Sequence, residues 1–154
     1  MPTYQLIDEP RPGAIAHVTV DPVWPLLSYM LGSAFFAWIW FLVNSFAVGS
    51  PNKRKEVSLI AFGFIGFFVL AIGATFLRAN GVVSEEHWPY LRLVFHIFTL
   101  TICYILWVLQ DGPFEIYRHF NGKVRKGFPI LFLAIFFGAK FQEFIIFTVL
   151  GSIT

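Results

Sequence analysis

The chain has 154 residues, of which 57% are hydrophobic and only 13% are charged, and it includes 20 phenylalanines and 5 tryptophans. A soluble domain of this length has too little interior to bury so much apolar surface, so the composition predicts a protein whose solvent is lipid. The net charge of +2 does not favour a nucleic-acid partner, and the single cysteine, Cys103, excludes an intramolecular disulfide.

The first 25 residues are predicted to be an extended arm that precedes the membrane domain. This segment carries prolines at positions 2, 10, 12, 22 and 25. Because proline fixes φ and lacks a backbone N–H donor, such a segment is extended more readily than helical. Residues 14–20 form its most β-prone piece. The arm is interpreted either as a mobile tail or as a clasp that docks on another chain.

Four apolar segments are long enough to cross a bilayer, which takes about 20 helical residues. They run over residues 26–48, 57–77, 91–109 and 128–150. The first segment is too long for the apolar part of a cleavable signal, so it is predicted to persist in the mature protein. The fold class is therefore predicted as an all-α integral membrane protein, with one domain of four transmembrane helices at residues 26–150.

Positive charge is concentrated in the first and third connections between these segments. The arm, by contrast, has one arginine against three acidic residues. By the positive-inside rule the two basic connections are cytoplasmic, which predicts that both termini lie outside. We therefore expect a multi-pass protein of a plasma membrane or bacterial inner membrane. Seven residues are predicted to anchor its cytoplasmic face: Lys53, Arg54, Lys55, Arg118, Lys123, Arg125 and Lys126.

Small residues follow one side of the second predicted span. They fall within an arc of about 100° at the helical angle per residue. Small side chains let helix backbones approach closely in lipid, so this arc is predicted to be a packing seam. Whether a helix of the same chain or of a neighbouring protomer faces it is left open. The seam consists of Gly63, Gly66, Gly73 and Ala74.

A polar stripe follows the third predicted span within an arc of about 60°. Lipid offers these groups no hydrogen-bond partner, so the stripe is predicted to face the bundle interior or a watery crevice. It indicates either ordinary hydrogen bonding between helices or the wall of a pathway or pocket. The stripe consists of Arg92, His96, Thr99, Cys103 and Gln110.

Charged residues interrupt the fourth predicted span, where Lys140 and Glu143 lie about 18 and 22 Å from its start at Phe128. Such residues are costly in hydrocarbon and indicate a functional or assembly site. His96 is expected at a similar depth. The sequence therefore predicts an intramembrane cluster of His96, Lys140, Gln142 and Glu143, with an outer rim of Arg78, Glu85 and Glu86.

Three interpretations of this cluster remain open. The first is a buried ionic contact that selects helix partners, the second is a site that handles protons or ions, and the third is a catalytic site. No catalytic residue, cofactor or metal ligand is assigned, because no known ligand spacing is present. The predicted function is a non-catalytic subunit of a homo- or hetero-oligomeric membrane assembly. The alternatives are a small oligomeric transporter or channel for ions or protons, and a membrane-embedded enzyme acting on a lipophilic substrate.

Overall fold

The computed structural model describes residues 13–151, and the regular structure in that range is helical apart from one isolated bridge pair. Two short 3-10 turns lie at Ala16–Val18 and Glu85–His87. The all-α class predicted from the sequence is confirmed. The α-helices are α1 (Val23–Leu31), α2 (Ala34–Val48), α3 (Lys53–Ala79), α4 (Trp88–His119) and α5 (Phe128–Gly151).

Three of these helices, α3, α4 and α5, are long and apolar enough to cross a membrane. They contain 27, 32 and 24 residues. At 1.5 Å per residue each spans more than the roughly 30 Å of a hydrocarbon core. The second, third and fourth predicted spans lie within them. Helix α4 continues ten residues past the predicted end at 109, through an amphipathic stretch that contains Pro113.

The first predicted span, residues 26–48, is a hairpin of two short helices rather than one crossing helix. The backbone N–H of Val20, just before α1, donates to Asn44 Oδ1 in α2 at 3.0 Å. In a continuous helix these two residues would lie about 36 Å apart. The chain therefore turns back at Gly32 and Ser33, and the predicted count of four crossing helices is not confirmed at this first segment.

Local chemistry explains the turn of this hairpin. Ser33 adopts extended backbone angles, and its hydroxyl accepts a hydrogen bond from the N–H of Phe36, which caps α2. Gly32 lies against α5: a Cβ at this position would stand 2.5 Å from the carbonyl oxygen of Ala134. Glycine is thus required for the close approach of the hairpin to α5.

The N-terminal residues that precede α1 lie at the same end of the bundle as the basic connections. The N–H of Arg125 donates to the carbonyl of Thr19 at 2.8 Å, and Val20 forms a parallel bridge with Arg125. The Tyr117 hydroxyl donates to the carbonyl of Lys123 at 3.3 Å and lies 3.5 Å from that of Ala16. The hairpin returns the chain to its starting end, so the described part of the arm lies beside the basic connections and the predicted orientation of the two termini is not confirmed.

The β-prone piece at residues 14–20 contains a 3-10 turn at residues 16–18 and a single bridge residue, Val20. Residues 1–12 lie outside the described residues.

Helix α2 forms the centre of the bundle and packs on α1, α3, α4 and α5. Its side chains Phe35, Trp38 and Phe41 are completely buried. The small residues of α3 provide part of the space: Gly63 faces Trp38 of α2 and Ile102 of α4. At Gly63 the packing seam therefore lies against helices of the same chain.

The other three residues of the seam differ in how closely they are packed. Gly66 faces the ring of Phe98, and Ala74 is buried. A Cβ at Gly73 would meet nothing within 4 Å. The seam is thus closely packed at Gly63 and Gly66, open at Gly73 and buried again at Ala74.

Candidate functional site

A polar pocket opens beside the tip of the α1–α2 hairpin, between α4 and α5, at the end away from the basic connections. Its volume is about 400 Å³. Gln142 of α5 lies on its wall, about 21 Å along that helix from Phe128. The lining residues are Tyr29, Met30, Gly32, Ser33, Ala34, Phe67, Arg92, Phe95, His96, Thr99 and Gln142.

Tyr29 connects the hairpin to α4 across the base of this pocket. Its hydroxyl donates to the carbonyl of His96 at 3.0 Å and lies 3.0 Å from Thr99 Oγ1. Thr99 Oγ1 is also bonded to its own helix through the carbonyl of Phe95, at 2.8 Å. The pocket wall is therefore held by side-chain hydrogen bonds and not by apolar packing alone.

The charge in the polar pocket is positive. Arg92 lies on its wall, and the eleven lining residues include no carboxylate. Within residues 13–151, Arg92 has no ion pair; the pairs formed there join Arg78 to Glu85 and Arg118 to Glu115. The pocket consequently presents an exposed guanidinium together with hydroxyl, imidazole and amide groups.

The five residues of the polar stripe on α4 divide into two groups. Arg92 and His96 are exposed and line the pocket, whereas Thr99, Cys103 and Gln110 are buried among the helices. The stripe thus runs from the pocket into the core of the bundle.

The members of the predicted intramembrane cluster occupy two separate places. His96 and Gln142 line the polar pocket, but Lys140 and Glu143 do not. Both charged residues are exposed on α5, and in the described part of the chain they form no ion pair with each other. The fold of the described residues therefore does not bring the four residues together into a single site.

Lys140 and Glu143 belong to a stripe that we call the outward face of α5, together with Phe136 and Phe147. The four positions fall within an arc of about 60° at the helical angle per residue. Phe136 is 67% exposed and Phe147 is 75% exposed. The buried side of α5 lies opposite and is formed by Leu131, Ala134 and Gly138. The two charges thus face away from the bundle, halfway along an apolar helix.

A buried polar network lies at the other end of the bundle, near the basic connections. Glu56 of α3 is completely buried; its Oε1 accepts from the Ser50 hydroxyl at 2.5 Å and its Oε2 from the Gln110 amide at 2.7 Å. Asn44 donates to Gln110 Oε1 at 3.1 Å, and its own oxygen accepts from the N–H of Val20. The Gln110 amide also donates to the carbonyl of Phe41. This network joins the arm, α2, α3 and α4.

Sequence reasoning included Gln110 but missed Glu56, Asn44 and Ser50. Glu56 follows three basic residues, which resemble a solvated helix start. One signal was present: Glu56 precedes Gly63 by seven residues, and so it lies on the same helical side as the packing seam.

The outer rim residues lie where α3 and α4 are connected. Arg78 pairs with Glu85 at 2.5 Å, and its guanidinium lies 5.3 Å from the centre of the Trp88 ring. Glu86 is exposed. All of these groups are open to solvent, so their ionic contact adds little stability.

The basic anchors are at the opposite end, around the N-termini of α3 and α5. Lys53 lies 5.8 Å from the centre of the Phe46 ring, and Arg118 pairs with Glu115. The remaining anchors, Arg54, Lys55, Lys123, Arg125 and Lys126, are exposed.

The described residues contain no group of three or more histidine, cysteine or acidic side chains placed to hold a metal ion. Comparisons of the chain with protein-family models, with curated proteins and with solved structures find no match.

Proposed function

We propose that this protein is a non-catalytic subunit of an oligomeric membrane assembly, and that the outward face of α5 is the contact between two copies of the chain. The observation that carries the proposal is the exposure of Lys140 and Glu143 halfway along an apolar helix. Lipid cannot solvate these charges, and each costs several kcal/mol at the centre of a bilayer unless it is paired.

A second copy suits this face because the face complements itself. It carries one cation and one anion, three residues or about 4.5 Å apart along the helix. Two copies inserted in the same direction present these charges at the same depths, so Lys140 of each copy reaches Glu143 of the other. The flanking Phe136 and Phe147 are also exposed and supply apolar contact area.

The proposed orientation follows from the charges at the two ends. Seven of the eleven lysines and arginines lie in the connections beside the arm. By the positive-inside rule, this end is cytoplasmic and the far end of α5 is outside. In this arrangement the α1–α2 hairpin enters the membrane from the cytoplasmic side and returns to it. A plasma membrane or a bacterial inner membrane is the proposed location.

The alternative, a pathway for ions or protons, has less support. Lys140 and Glu143 face away from the polar pocket that contains His96, so a continuous chain of titratable groups is not formed within one protomer. A pathway would need groups from two copies at their contact, and so it depends on the same interface.

Cysteine cross-linking in membranes tests the interface. Phe136→Cys places a thiol on the outward face, and Ile65→Cys places one on α3 at nearly the same exposure, 66% against 67%. The native Cys103 is buried, so cross-linking of the wild-type protein gives the background level of dimer. Under a mild oxidant, we expect a cross-linked dimer from Phe136→Cys and none from Ile65→Cys. A monomer in both variants, or equal dimer in both, contradicts the proposed contact.

A further inference from the structure

We infer that the polar pocket binds the anionic headgroup of a membrane lipid, with Arg92 as the ionic contact. The first reason is the charge imbalance of the pocket. Its lining contains a guanidinium and no carboxylate, and Arg92 has no ion pair within residues 13–151. A guanidinium at a membrane helix end attracts a phosphate or a carboxylate group. Its planar arrangement of N–H groups can donate two parallel hydrogen bonds to either anion.

The second reason is the set of neutral groups that surround this charge. Ser33 at the N-cap of α2, His96 of α4 and Gln142 of α5 line the same pocket. Together they offer hydroxyl, imidazole and amide N–H donors for the remaining oxygens of an anion. The start of α2, at Ser33 and Ala34, also borders the pocket, and its dipole adds a weaker attraction for negative charge.

The third reason is the mixed lining, which suits an amphiphile better than a free ion. Met30, Ala34, Phe67 and Phe95 form the apolar part of the wall. Met30 is 69% exposed, and so an acyl chain that leaves the pocket meets apolar protein surface. The volume of about 400 Å³ falls in the range of small-ligand sites and accommodates a headgroup while the chains remain in the bilayer.

The position of the pocket identifies the leaflet. Gln142 lies about 21 Å along α5 from the basic end, and Arg92 is in the second turn of α4 at the other end. The pocket is therefore at the depth of the leaflet opposite the basic connections. The inference does not depend on the α5 interface, because Arg92 is not part of the outward face.

The test is native mass spectrometry of the full-length protein in mild detergent, with added phosphatidylglycerol, phosphatidylcholine or inorganic phosphate. The key variant is Arg92→Gln. The control is Arg78→Gln, which removes the same charge at the same end but from a residue that is paired with Glu85 and does not line the pocket. Arg92→Lys retains the charge without the paired N–H groups.

We expect the wild-type protein and Arg78→Gln to retain phosphatidylglycerol in preference to phosphatidylcholine. Arg92→Gln should bind the anionic lipid about tenfold or more weakly, and Arg92→Lys should fall between them. Three results overturn the inference: unchanged lipid retention in Arg92→Gln, equal loss in Arg78→Gln, or displacement of the lipid by inorganic phosphate at similar concentration. Cross-linking of Phe136→Cys in an Arg92→Gln background should be unchanged, which separates this test from that of the interface.

Discussion

Two glutamates of this chain lie in apolar helices and have opposite surroundings. Glu56 in α3 is completely buried, and both of its carboxylate oxygens accept hydrogen bonds from Ser50 and Gln110. Glu143 in α5 is exposed and has no ion pair in the part of the chain that the structure describes. A polar group satisfied within the chain fixes the fold, whereas one that would face lipid is expected to need a partner from outside.

The comparison extends to the helices that carry the two residues. The buried polar network ties the arm and the hairpin to α3 and α4, and its members come from four parts of the chain. On the outward face of α5, by contrast, Lys140 and Glu143 form no ion pair with any other described residue. The network should therefore govern stability of the protomer, and the outward face should govern association.

The largest effect on the protomer is expected for Gln110→Leu. This change removes the amide that donates hydrogen bonds to Glu56 and to the carbonyl of Phe41. It also removes the oxygen that accepts a hydrogen bond from Asn44. Stranding several buried polar groups should lower the free energy of unfolding by about 3 to 5 kcal/mol.

The matched control for this prediction is Thr101→Val on the same helix. Thr101 is exposed, and among the described residues its hydroxyl bonds to the carbonyl of Ile97 in its own helix and to no other group. We expect a change within about 0.5 kcal/mol. Both variants can be compared by denaturant unfolding in mild detergent, followed by tryptophan fluorescence. Equal stability of the two variants would contradict the prediction that the buried polar network stabilises the fold.

A smaller effect is expected for Gly32→Ala at the hairpin tip. The new Cβ would stand 2.5 Å from a backbone oxygen of α5, so the hairpin must move away from that helix. Overpacking of this kind costs about 1 to 3 kcal/mol. Gly73→Ala is the control, because a Cβ there meets nothing within 4 Å and alanine is the better helix former. Thermal unfolding of both variants should show a loss only for Gly32→Ala; a loss of the same size in Gly73→Ala would contradict the hairpin geometry.

The sequence predicted the long helices well because hydropathy over about 20 residues measures the property that lets a helix cross lipid. It did not indicate the break between α1 and α2, because the apolar stretch of residues 26–48 continues through Gly32 and Ser33 and composition alone does not register a reversal of direction. The reversal depends on contacts distant in sequence, namely those of Gly32 with α5 and of Val20 with Asn44.

For the candidate site, helical periodicity grouped Arg92, His96 and Thr99 on one side of α4, and in the structure these three residues line one pocket. Depth along the membrane was a poorer guide, since it brought Glu143 and His96 to a similar level without fixing the rotation of α5. The direction of each face of α5 is set by the packing of Ala134 and Gly138 against the hairpin tip at Gly32 and Ser33. No pattern within the fourth span alone contains that information.

The most direct test of the central claim is the association of α5 variants, measured by mass in mild detergent over a range of protein concentrations. Lys140→Met strands Glu143 of the other copy, and so it should raise the dissociation constant of the dimer at least about tenfold. Adding Glu143→Leu to that variant should restore much of the association through an apolar contact. If Lys140→Met dimerises as the wild-type protein does, or if the wild-type protein is monomeric throughout, the outward face of α5 is not the interface.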